Sequence, residues 1–180
     1  MLGLLIYKVI FSMEALIQQI EKDLNNNSLE LHNESFFTFF TDEENIIRDA
    51  HICHAVLFFN KALQILDDEP DDADREEHVL TGDYFFSQFY KILAIHNEYK
   101  VINDVSSISK EITSIKSAYA TSDNNPSYTE LKSLLFAPLI YLVDNGYAHT
   151  SLLQLIDQYI DSINIENLPY ITKSSGDNNG

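Results

Sequence analysis

The side chains with the most capacity for chemistry lie in one acidic run, Asp67-Asp68-Glu69-Pro70-Asp71-Asp72-Ala73-Asp74. Hard divalent cations take oxygen ligands and accompany phosphate. Two adjacent carboxylates, Asp67 and Asp68, with a third at Asp71 can therefore clamp Mg²⁺ on a diphosphate. The same run also reads as a solvated loop between two helices, because an acidic chain produces such runs by composition alone. Pro70 favours the loop: it restricts Glu69 away from helical geometry, so the carboxylates do not stack on one helical face. A second constellation is His51, Cys53 and His54. All three are zinc-ligand types, but on a helix Cys53 points away from the face shared by the two histidines. No second ligand pair stands elsewhere, so core or interface histidines are the expectation. The sequence contains no nucleophile elbow, no glycine-rich phosphate loop and no basic aromatic patch. Catalytic and cofactor-binding residues are thus expected to be absent, and Asp67, Asp68 and Asp71 are the metal-ligand candidates.

These residues are positioned by helices. Only 5 Gly and 4 Pro occur in 180 residues, which favours long helices over a sheet with many hairpins. Met13, Leu16, Ile17, Ile20 and Leu24 form one stripe of an amphipathic helix capped by Ser12 and ended by Asn25-Asn26-Asn27-Ser28. SFFTFF, residues 35–40, reads as a short helix on the core. Thr41 to Glu44 has the pattern of a capping box, opening a central helix that runs to about Leu66 and is apolar on most sides. A helix from Arg75 to Glu98 is expected to turn Val79, Gly82, Phe86, Phe89, Tyr90 and Leu93 inward. In the next, Lys100 to Ala120, the residues Val101, Val105, Ile108, Ile112, Ile115 and Tyr119 make a heptad stripe. That stripe suits a long helix inside one bundle or a contact with another chain. Residues 128–144 form a helix that Pro138 should kink, Asn145-Gly146 is a stop, and a last helix spans Thr150 to about Ile163. The fold class is all-α, one helical bundle over residues 13–168, with residues 169–180 expected as a disordered tail.

Charge excludes several partner classes. Lys and Arg total 11 against 28 Asp and Glu, a formal net charge of −17. Such a field repels nucleic acid and anionic lipid. Cys53 is the only cysteine, which fits a reducing compartment, and a cytoplasmic location is expected. The apolar start Met1 to Ser12 is too short to span a bilayer and lacks the basic region and cleavage site of a signal peptide. It reads either as an upstream start before a native Met13 or as a true N-terminal extension. Stable membrane insertion is not expected.

Gly82 is informative because glycine inside a helix costs about 1 kcal/mol relative to alanine. The expectation is close approach of another backbone there. Asp83 sits beside it among Tyr84, Phe85, Phe86, Phe89 and Tyr90.

The segment HVLTGDYFFSQFYKILA, His78 to Ala94, resembles the Gly-Asp-Tyr helix of the all-helical trans-prenyl diphosphate synthases, with Gly82, Asp83 and Tyr84 as the motif. The preceding DDEPDDAD resembles a shortened form of their first Asp-rich region. More closely, the chain is similar to the small, non-catalytic component of two-component bacterial heptaprenyl and hexaprenyl diphosphate synthases. The likeness covers roughly residues 45–165 and includes HNEYK, His96 to Lys100. The resemblance implies a truncated isoprenoid-synthase fold and a division of labour. A large catalytic subunit binds Mg²⁺ and both diphosphate substrates and performs the condensation. The small one is needed for activity, helps set product length, and so contributes to the menaquinone side chain. This chain departs from a catalytic one. After residue 100 nothing offers a second Asp-rich cluster, and Arg75 is followed by Glu76 and Glu77 where a catalytic chain continues with arginine. A chain inactive alone, with no cofactor of its own, is the expectation, paired with a catalytic subunit through Tyr84, Phe85, Gln88 and Tyr90. The alternative is an acidic helical interaction adaptor unrelated to prenyl chemistry.

Overall fold

The computed structural model describes residues 12–24, 30–68, 70, 73–122 and 124–171. A helix that is apolar on nearly every side has to be surrounded, and α3 (Ala50–Asp67) is. Ile52, Cys53, Ala55, Val56, Leu57, Phe58, Phe59, Ala62 and Ile65 are buried along it, as are His54 and Asn60. Its most extensive partner is α4 (Arg75–Ile95), and α6 (Tyr128–Asp144) packs on it next. α1 (Met13–Leu24) and α2 (Ser35–Thr41) pack together, and α2 reaches α3. α5 (Tyr99–Ala120) lies on α6 and α4, and α7 (Ser151–Ser162) on α6 and α2. The protein is all-α: the described residues contain no strand, only an isolated bridge between Ile46 and Ala148. Among them no helix is long and apolar enough to cross a membrane.

Local chemistry sets several boundaries. Ser12 Oγ accepts from the Ala15 amide at 3.3 Å and caps α1. Ser127 and Glu130 form a reciprocal capping box on α6: the Ser127 amide donates to Glu130 Oε2 at 2.9 Å and the Glu130 amide to Ser127 Oγ at 3.4 Å. α6 ends at Asn145, and Gly146 takes φ +68°, the left-handed turn that glycine permits. Pro138 lies inside α6 and is buried.

Three expectations need correction, and one open reading is decided. Thr41 to Glu44 is not the start of the central helix. Thr41 closes α2, its hydroxyl donating to the Thr38 carbonyl at 2.7 Å, while Asp42 accepts from the Glu44 amide at 3.0 Å and caps the 3₁₀ turn Glu43–Asn45. The backbone of 46–49 is claimed by the α6–α7 turn instead. Ile47 N donates to the Tyr147 carbonyl at 2.9 Å, and the Arg48 guanidinium binds the Asn145 carbonyl at 2.7 Å while lying 4.2 Å from the Tyr147 ring centre. The inward face of α4 is also different. Thr81, Gly82, Phe85, Phe89 and Leu93 are buried, Phe86 is half-buried, and Val79 and Tyr90 are exposed. Apolar side chains surround α4, so its period leaves the inward face open, and the aromatic wedge at Phe85 settles it. The heptad stripe of α5 follows the reading of a helix inside the bundle: Val101, Val105 and Ile112 are buried and Ile108 and Tyr119 pack against the core, while Ile115 emerges at the surface. Finally, packed structure continues past 168. Tyr170 and Ile171 are buried, and the Lys116 ammonium lies 5.2 Å from the centre of the Tyr170 ring. The expected helix stop at Asn25–Ser28 and the remainder of the tail, 172–180, fall outside the described residues, as do residues 1–11.

Candidate functional site

The described residues singled out by sequence lie on α3 and α4 and at the end of α3, and do not converge on one site. Asp67 is the last residue of α3 and forms an ion pair with Lys116 of α5, both side chains mostly buried. Burial pushes the Asp67 carboxyl up from the usual carboxylate range, and Lys116 opposes that shift through charge and a hydrogen bond. The raised direction holds because desolvation is the larger effect. Asp68 follows in extended backbone at the surface. Asp71 lies outside the described residues. Asp67 is therefore a bracket between α3 and α5, and its partner is a cation on the same chain. Among the described residues, no three His, Cys, Asp or Glu side chains converge where a metal ion could sit.

The Gly-Asp-Tyr motif occupies the second and third turns of α4, and each of its residues faces a different environment. A Cβ on Gly82 would stand 2.9 Å from Cγ and Cδ2 of Leu66. The notch therefore admits a side chain of α3, a correction to the expected backbone approach. Asp83 is exposed. The Tyr84 hydroxyl donates to Asp23 Oδ2 at 2.7 Å, tying α4 to α1. Burial and then this bond raise the Tyr84 hydroxyl, while the same bond is the main cause that lowers Asp23.

The expected partner-facing set Tyr84, Phe85, Gln88 and Tyr90 does not form one surface. Phe85 is 0% exposed, with ring centres 6.4 Å from Phe37 and 5.9 Å from Phe58, so it belongs to the core and cannot anchor a partner. Tyr84 and Gln88 are half-buried. Tyr90 is exposed and leans edge-on against Phe89 at 5.0 Å.

His51, Cys53 and His54 enter three different surroundings. His51 Nε2 lies 3.3 Å from Glu98 Oε1, and its ring stacks on His96 at 4.1 Å. Both partners come from the α4–α5 turn, which no periodicity signals. The Cys53 thiol donates to the Tyr147 carbonyl at 3.5 Å and is pushed up to about 12 by burial, so it stays protonated and inert. His54 is buried, with no hydrogen-bond partner for Nε2. Burial first, and the neighbouring His51 second, lower it to about 4.

A groove of about 670 Å³ between α2 and α7 was not indicated by any motif. Its walls include Asn33, Thr38, Phe39, Asp42, Gln154 and Gln158. They carry amides, a hydroxyl, the Phe39 ring and the Asp42 carboxylate. No family model, no curated protein and no solved structure matches the chain.

Proposed function

We propose that this chain is the non-catalytic subunit of a heteromeric trans-polyprenyl diphosphate synthase of the heptaprenyl class, required by a catalytic subunit for activity and for product length. The product would serve as the menaquinone side chain. The observation that carries the non-catalytic role is the pairing of Asp67 with Lys116. In the region resembling the first Asp-rich motif, the carboxylate at the helix end holds two helices together instead of facing a diphosphate. Exposed Glu76 then follows Arg75, placing negative charge where a polyanionic substrate would need positive charge. The resemblance of LTGDYFF to the synthase helix supports the prenyl assignment. That run lies on α4, the principal partner of the central helix. Mg²⁺ and both diphosphates belong, on this reading, to the catalytic subunit.

The two purified chains from one cell should co-elute and sediment as a heteromer at micromolar concentration and moderate salt. An interface of ordinary size buries about 1,600 Å² in total. A chain that sediments as a monomer in the presence of the synthase contradicts the reading and leaves the unrelated adaptor in its place.

A further inference from the structure

A helix that is apolar on most sides is covered on most sides in a finished assembly. α4 breaks this within the single chain. One side buries Phe85, Phe89 and Leu93, yet the opposite side leaves Leu80 59% exposed and Tyr90 45% exposed, with Val79 beside them at 44%. The exposed residues Glu76, Leu80, Asp83, Ser87, Tyr90 and Ala94 recur at alternating steps of four and three. That is the spacing of a coiled-coil seam, and it runs for about 27 Å along the helix axis. Leu80 and Tyr90 supply apolar knobs. Ser87 and Ala94 are small enough to let a second helix approach closely. Glu76 and Asp83 place carboxylates within the seam.

We propose that this outer seam of α4 is a docking face for a basic amphipathic helix of the partner protein. The inference rests on the reading of the chain as a synthase subunit and names the part of it that binds. Charge complementarity selects the occupant. Lys or Arg opposite Glu76 and Asp83 neutralises carboxylates that desolvation would otherwise penalise. A second copy of this chain is disfavoured, because it would bring together two chains of net charge −17 and supply no cation opposite Glu76 or Asp83 from its own seam.

The test is titration calorimetry of the full chain against the catalytic prenyl diphosphate synthase subunit of the same cell, at low and at high salt. Leu80→Glu and Asp83→Lys should each weaken binding by about tenfold or more. Their helical circular dichroism should stay unchanged, since both residues are exposed. Ile165→Glu, at an exposed position on another element, should bind as wild type does. Wild-type affinity should fall as salt rises, and the Asp83→Lys variant should respond less. If wild type binds and both seam variants bind equally well, the docking face is overturned while the subunit reading stands. If wild type does not bind the synthase, both fall. If the chain alone forms a dimer that Leu80→Glu dissolves, the seam belongs to a second copy and the proposal is overturned.

Discussion

Phe85→Ala lowers the unfolding free energy by about 3–5 kcal/mol, the range for deleting a fully buried aromatic ring. The ring is 0% exposed and lies between Phe37 of α2 and Phe58 of α3. Its loss opens a cavity at the meeting point of three helices. Neighbouring substitutions on α4 behave differently. Tyr84→Phe removes one hydrogen bond to Asp23 and costs about 1 kcal/mol. Tyr90→Ala removes an exposed ring that touches Phe89 and leaves stability within about 1 kcal/mol. Urea unfolding of the three variants checks the order. A Phe85→Ala chain that unfolds at the wild-type midpoint would show that the ring is not a core residue.

Acidification produces the second large effect, through His54. Its folded value of about 4 lies below the ordinary 6.5 because the ring is buried and His51 is close, while Glu14 opposes the shift weakly. The unfolded chain therefore binds the proton first. Stability attributable to His54 is complete above 6.5, declines as pH falls through 6.5, and is lost by about 4, where the folded form also protonates. A shift of this size corresponds to about 3 kcal/mol. The lowered carboxylates Asp23, Asp104 and Asp157 act in a lower window, since each loses its contribution as pH falls through its depressed folded value. Urea midpoints for wild type and His54→Leu, measured at about pH 8 and about pH 5, separate the two sources. The variant should lose clearly less stability between these two conditions. An equal loss in both proteins would remove His54 as the cause.

How much of this was legible in sequence depends on how one-sided each pattern is. α1 and α7 carry single apolar stripes, and their buried residues Met13, Ile17, Ile20 and Leu152, Ile156, Ile160 lie on those stripes. α6 is bounded by Asn145-Gly146 as expected, with Pro138 inside it. The inward face of α4 is not legible, because Val79 and Tyr90 fit an inward stripe as well as Phe85 does; only the aromatic partners on α2 and α3 decide between them. Thr41 to Glu44 had the right residues for a capping box, but the bonds between 47–48 and 145–147 pull that segment out of helical geometry. Such distant pairings leave no periodic trace. The same holds for Lys116 on Asp67 and for His96 on His51. Sequence reading identified the carboxylate and the histidine in these pairs and could not supply their partners.

The most direct measurement of the subunit role is product formation by separated and recombined chains. The catalytic synthase subunit is supplied with an allylic diphosphate, isopentenyl diphosphate and Mg²⁺, with and without this protein. The expected result is long polyprenyl diphosphate only when both chains are present, and none from this protein alone. Long product from this protein alone would contradict the non-catalytic assignment, and a catalytic subunit whose rate and product length are unchanged by its addition would contradict the subunit role.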